Sequence, residues 1–384
     1  MNCNDVEINE REAALYVHIP FCDHKCIYCD FYSVVSHENS ANYLNALSAE
    51  IINYSGIYSR GRHFSSIFFG GGTPSLMQPD YIHDIISRLR DNFQVDESAE
   101  ITLETNPGTV DKSKLTAFRQ AGINRLSIGI QSFNDEELKF LTRIHSSRTA
   151  IETVMSAAEA GFDNINIDLM FNLPGQTRDV WINNMRQAAA LPATHISAYS
   201  LILEHGTILN RMVLDGKVEI PDEDHDAGIY ALTIDFLENN SFLQYEVSNF
   251  AKDGFQCRHN NAYWKYRDYI SFGTSAHSFA DGKRWWNYSS LRRYIMEIEK
   301  KSHAEAGSEQ LNAEQMLDEF VMLALRSSGL DLDELSRKFG TAWLVNNSAT
   351  IQSLVNRGLI IRENELLKLT RKGYALCDEV LRLL

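Results

Sequence analysis

Cysteine is scarce, basic charge is in deficit and long apolar runs are missing, and each shortage closes off a class of protein. Six cysteines in 384 residues are too few, and the chain too long, for the disulfide framework of a small secreted domain. Lys and Arg number 36 against 51 Asp and Glu, a formal net charge of -15, so a broad nucleic-acid-binding face is not expected. No stretch of about 18 apolar residues occurs, which leaves no candidate spanning helix. The opening residues, Met-Asn-Cys-Asn-Asp-Val-Glu, carry neither the basic start nor the apolar run of a secretory signal. A reducing cytoplasm is therefore the expected location, and reduced thiols are its consequence.

Three of the six cysteines stand together. Cys22, Cys26 and Cys29 follow the apolar run 15–21 with the spacing CxxxCxxC, and soft thiolates so placed favour zinc or an iron-sulfur cluster over hard cations. Three is an informative number. A closed zinc site needs a fourth protein ligand, for which His18 and His24 are candidates, whereas a cubane cluster on three cysteines keeps one iron open. The residues alone leave both readings standing. Cys3, Cys257 and Cys377 are scattered and read as ordinary thiols.

Apolar periodicity predicts helices over 41–54, 80–92, 112–121, 135–141, 148–160 and 178–190, alternating with strands over 65–69, 100–105, 125–130, 165–171 and 195–202. With the first strand before the cysteines, this makes six parallel βα units of an α/β fold. Polar or glycine-rich words close nearly every strand: Gly70-Gly-Gly-Thr-Pro-Ser75, Glu104-Thr-Asn-Pro107, Gln131, Asp168 and Leu173-Pro-Gly-Gln-Thr177. Glycines there let backbone approach a ligand and expose amide donors to a carboxylate. One such acid alone could be a helix cap or a satisfied core group; recurrence at the same end of successive units points to a site.

Further on, a helix is expected over 225–238 and a strand over 245–250. The word Cys257-Arg-His-Asn-Asn-Ala-Tyr-Trp264 follows, with dense aromatics that suit a large planar ligand or a core lid. By its chemistry alone His259 reads as a hydrogen-bonded structural histidine. Residues 300–314 read as a linker. Helices over 316–326, 331–339 and 341–357, a ribbon over 359–362 and 366–369, and a last helix over 371–384 then look like a winged-helix module, a fold that does not by itself assign a function.

The CxxxCxxC word after its strand, with Tyr28 between the last two cysteines, is similar to that of the radical S-adenosylmethionine superfamily. The flanking words resemble more narrowly the oxygen-independent coproporphyrinogen III oxidases and their heme-chaperone relatives, from Leu15 to the last helix. That resemblance implies a partial (β/α)6 radical-SAM barrel over 1–205, an accessory extension carrying HNxxYW over 206–299, and a small winged-helix-like domain over 300–384, with chemistry at the C-terminal ends of the strands. It implies a [4Fe-4S] cluster on Cys22, Cys26 and Cys29 whose open iron takes the amino and carboxylate groups of S-adenosyl-L-methionine. Tyr16 would contact the nucleoside, Gly71, Gly72 and Thr73 would hold the methionine end, and Glu104, Gln131, Arg143 and Asp168 would complete the site. A carboxylate can take the ammonium, and Arg143, in Leu-Thr-Arg-Ile-His145, can pair with the carboxylate. His259 would be the heme-iron ligand.

Two departures choose a branch within that family. Phe31 stands where the decarboxylating oxidase has a further cysteine, and the segment before the cluster is shorter than the oxidase's. Both imply a heme chaperone that binds heme and passes it to respiratory proteins, without coproporphyrinogen III decarboxylase activity. No nucleic acid is expected, and membrane contact would come only through partners. The alternatives carried forward are a decarboxylating oxidase of porphyrin biosynthesis and a zinc-stabilised binding module.

Overall fold

A computed structural model describes residues 10–36 and 38–384; Cys3 lies outside the described residues. The first strand, β1 (Arg11–Ile19), buries Ala13, Ala14, Leu15, Val17 and Ile19 completely, so it needs cover on both faces and strands on both edges. Helix α1 (Ser40–Tyr58) leads to β2 (Arg62–Gly71), α2 (Pro79–Asn92) to β3 (Val95–Thr105), and α3 (Lys112–Gln120) to β4 (Arg125–Gln131). Helices α4 (Asp135–Phe140) and α5 (Ser147–Glu159) precede β5 (Ile165–Phe171), and α6 (Arg178–Ala190) precedes β6 (His195–Ser200). Strands β1 to β6 pair in sequence order and all in parallel. Side chains such as Leu126, Ile128 and Ile130 are fully buried between sheet and helices, at about 1.5–3 kcal/mol each.

Helices α7 (Ile208–Leu214) and α8 (Glu223–Asn239) follow, then β7 (Leu243–Gln244) and β8 (Asn249–Ala251), which extend the sheet beyond β6. Of the strand expected over 245–250 only 249–250 is extended, as the start of β8, and 245–248 form the turn that joins β7 to β8. The HNxxYW word forms helix α9 (Arg258–Trp264). Strand β9 (Asp268–Phe272) returns to lie parallel to β1, and β10 (His277–Ala280) and β11 (Lys283–Asn287) continue antiparallel. The two ends of this curved sheet stay apart, so the barrel is partial.

After α10 (Leu291–Lys301), residues expected as linker form β12 (Glu305–Gln310), paired on one side with β11. The strand Glu-Ala-Gly-Ser-Glu-Gln shows no apolar alternation because it is an outer edge, where charge protects against further pairing. A second apolar cluster gathers α11 (Ala313–Leu325), β13 (Leu330–Asp331), α12 (Leu332–Phe339), α13 (Ala342–Asn356), β14 (Ile360–Glu363), β15 (Leu366–Leu369), α14 (Arg371–Ala375) and α15 (Cys377–Leu383). The last helix expected over 371–384 is broken at Leu376. This unit meets the barrel through Tyr266 Oη, which donates to Glu319 at 2.9 Å, and the Val247 amide, which donates to the Arg326 carbonyl at 3.0 Å.

Candidate metal centre and its cavity

The strands β1 to β6 open on one cavity of about 530 Å3, a size usual for small-molecule sites. Its lining brings together the residues that the sequence assigned to a site: Tyr16, the three cysteines, Gly71, Gly72, Thr73, Glu104, Gln131, Arg143, Asp168 and His259. The reason is periodic. Successive strand residues face opposite sides, so Tyr16, Phe68, Glu104 and Asp168 share the inner face while their apolar neighbours pack outward.

The cysteine loop leaves β1 and closes on itself through the Cys22 amide, which donates to the Val34 carbonyl at 3.0 Å, and the Val34 amide, which donates to Pro20 at 2.8 Å. Cys22, Cys26 and Cys29 are free and half-buried. Gly71 has φ +116° and its amide donates to Glu104 Oε2 at 3.1 Å. A Cβ on Gly72 would lie 2.6 Å from the Phe21 carbonyl oxygen, so the glycine word is what lets β2 end against the segment that carries Cys22.

The donor set, three free cysteines on one loop lining the cavity, fits a cubane cluster, in which each thiolate holds its own iron. His18 cannot serve as a fourth zinc ligand as folded: its Nδ1 is bonded to Tyr16 Oη at 3.3 Å and its Nε2 to the Tyr32 carbonyl at 3.0 Å. Arg143 lies over the loop, with Nη1 3.8 Å from Cys26 Sγ, Nη2 2.9 Å from Asn106 Oδ1, and Nε buried without a partner.

Two carboxyl groups stand deeper. Burial pushes the Glu104 carboxyl up to about 8, and Asp168 adds to the rise. Burial also raises Asp168, against hydrogen bonds from Asn166 at 2.7 Å and Ser127 at 3.2 Å. A cationic ligand would restore charge to both. Gln131 sits past a bulge in β4 with φ +70°, which turns its side chain into the cavity.

His259, which the resemblance makes the heme-iron ligand, is hydrogen-bonded through both ring nitrogens here. It is buried, stacked on Phe68 at 4.9 Å between ring centroids and on Tyr16 at 6.1 Å. Its Nδ1 is bonded to Ser66 Oγ at 3.1 Å and its Nε2 to Tyr263 Oη at 2.9 Å. No ring nitrogen is free for iron in this arrangement. Those contacts tie α9 to β1 and β2, and burial pulls the imidazole down to about 3, so it stays neutral.

Arg125 and Asn106 also line the cavity, and the sequence alone assigned neither a role. Arg125 lies at the floor, 1% exposed, with Nε 3.9 Å from Glu100, and Asn106 links Arg143 to Thr73. The alternation that turns Ser127 and Gly129 toward the cavity turns Arg125 inward too, and could have found it.

Residues 16–188 match the Radical SAM superfamily and residues 311–376 the HemN C-terminal domain. The chain is 33% identical over 369 residues to the heme chaperone HemW of Bacillus subtilis, covering 95% of this chain and 97% of that protein. It is 34% identical to the mitochondrial radical S-adenosyl methionine domain-containing protein 1 of Danio rerio, covering 96% and 86%, and 38% identical to HemW of Escherichia coli, covering 70% and 71%. Among solved structures, the coproporphyrinogen III oxidase HemN of Escherichia coli superposes with a TM-score of 0.83 at 24% identity, covering 98% of this chain and 90% of that one.

Proposed function

The chain belongs to the radical SAM superfamily and, within it, to the HemW heme-chaperone family, and on that premise we propose that it binds heme and delivers it to respiratory heme proteins. In this reading Cys22, Cys26 and Cys29 hold a [4Fe-4S] cluster and the cavity behind them holds S-adenosyl-L-methionine. When bound, the cluster supplies an open iron for the amino-acid end of that cofactor and a source of single electrons. Glu104, with Asp168 behind it, faces the ammonium, and the guanidinium of Arg143, which lines the same cavity, pairs with the carboxylate. Tyr16, stacked on Phe68 at 6.2 Å, presents an aromatic edge to the nucleoside. Gly71 and Gly72 keep the approach free of side chains.

The observation that carries the choice of branch is Phe31. It is 64% exposed and lines the cavity mouth, where a phenyl ring can lie against a porphyrin but can neither ligate metal nor relay hydrogen. Ile202, 68% exposed, shares that mouth. His259 enters as the heme ligand only if its Nε2 first leaves Tyr263. No helix among the described residues is long and apolar enough to cross a membrane, so contact with membrane-bound acceptors would run through those partners.

The test compares two activities of one anaerobic preparation. Heme-loaded protein should pass heme to an apo-hemoprotein such as apomyoglobin, and the same protein with cofactor and reductant should form no protoporphyrinogen from coproporphyrinogen III. Decarboxylation at a rate comparable to an authentic oxidase would move the chain to the oxidase branch.

A further inference from the structure

A directed chain of hydrogen bonds runs from Arg143 to the sulfur of Cys22. Arg143 Nη2 donates to Asn106 Oδ1 at 2.9 Å. A guanidinium carries only donors, so the amide of Asn106 is fixed with its oxygen toward Arg143 and its nitrogen toward Thr73. Asn106 Nδ2 then donates to Thr73 Oγ1 at 3.0 Å. With that oxygen accepting, the hydroxyl proton is left to be donated, and Cys22 Sγ lies 3.3 Å away. The thiol of Cys22 is itself aimed at the His24 carbonyl at 2.9 Å, which leaves the sulfur as acceptor toward Thr73. Thr73 is 2% exposed, so water does not compete for its proton. The same guanidinium reaches Cys26 Sγ through Nη1.

We propose that Asn106 and Thr73 are positioning residues that transmit the orientation of Arg143 to the Cys22 sulfur and thereby raise the reduction potential of the cluster. Reduction adds negative charge to the iron-sulfur unit, and a donor fixed on a ligand sulfur stabilises the reduced form more than the oxidised one. The inference rests on the cluster reading above and gives Thr73 a role distinct from holding the methionine end of the cofactor.

The experiment is a redox titration of the cluster-reconstituted full chain without S-adenosylmethionine, followed by electron paramagnetic resonance. Thr73→Val, which keeps shape and loses the donor, should be harder to reduce: at the wild-type midpoint its reduced-to-oxidised ratio should fall several-fold, and a tenfold fall is a shift of about 59 mV for one electron. Thr73→Ser keeps the donor and should titrate as wild type, while Asn106→Ala should shift in the same direction as the valine variant. A valine variant at the wild-type midpoint, or a serine variant shifted as far as valine, overturns the relay. If Thr73→Val assembles no cluster, an unmoved Asn106→Ala overturns it instead. A wild-type chain that takes up no iron and sulfide overturns the cluster reading and this proposal together, whereas wild-type uptake with unmoved variants overturns the relay alone.

Discussion

Replacing Glu104 by glutamine should stabilise the purified chain at alkaline pH while weakening its hold on a cationic cofactor. Burial and Asp168 raise the Glu104 carboxyl from 4.5 to about 8. A group raised in the folded state contributes stability that is fully present below the unfolded value and lost as pH climbs through the folded one. The window is therefore about pH 4.5 to 8. At 1.36 kcal/mol per pH unit the full effect is roughly 5 kcal/mol, a ceiling, because the side chain faces the cavity and its water; about 1–3 kcal/mol is the expected cost of the carboxylate. The substituted amide keeps an oxygen to accept from the Gly71 amide, now 3.1 Å from Glu104 Oε2, so nothing structural is removed. Unfolding midpoints of wild type and Glu104→Gln at pH 5 and pH 8.5, with and without cluster, measure the difference. They should nearly coincide at pH 5, with the variant higher at pH 8.5. Calorimetry should show S-adenosylmethionine affinity lower by roughly ten- to a hundredfold, the worth of a charged hydrogen bond. A variant less stable than wild type at pH 8.5, or a gap that does not change with pH, would refute the reasoning.

Cys22→Ser, Cys26→Ser and Cys29→Ser should each lose most of the iron and sulfide on reconstitution, and full retention in any of them would remove that residue from the ligand set. Gly72→Ala should cost about 1–3 kcal/mol, since its Cβ would press on backbone of Pro20 and Phe21 that cannot swing aside. Gly56→Ala, in α1 with nothing within 4 Å, should be neutral or slightly stabilising; equal losses from both would count against the close approach. His259→Ala strips a stacked ring from Phe68 and leaves Ser66 and Tyr263 unpartnered, at about 2–4 kcal/mol. A folded variant of wild-type stability whose hemin spectrum alone changes would instead make His259 a ligand.

Strand words were the legible part. The inner-face alternation on β1, β3 and β5 and the words closing those strands put Tyr16, Glu104 and Asp168 around one cavity, whereas Gln131 reaches it only past the bulge in β4. Edges and connections were not legible. Strand β12 carries no apolar pattern, being half-solvated, and the first turn of α9 is held by Glu100 Oε1, which accepts the Arg258 amide at 2.9 Å across 158 residues. The fate of His259 was hidden for the same reason. Its partners Ser66, Phe68 and Tyr16 lie far back in the sequence, on β1 and β2, and only the folded chain shows both ring nitrogens engaged. Asn106 stood in a recognised word without a role, since the direction of its amide follows from Arg143.

The central claim is that this chain carries heme. Hemin titrated anaerobically into the cluster-reconstituted protein and followed at the Soret band tests it with least intermediary. A heme carrier gives a saturable spectrum that ends near one heme per chain and survives passage through a desalting column. A linear, unsaturable rise, with all the hemin lost on the column while the cluster stays intact, would contradict it.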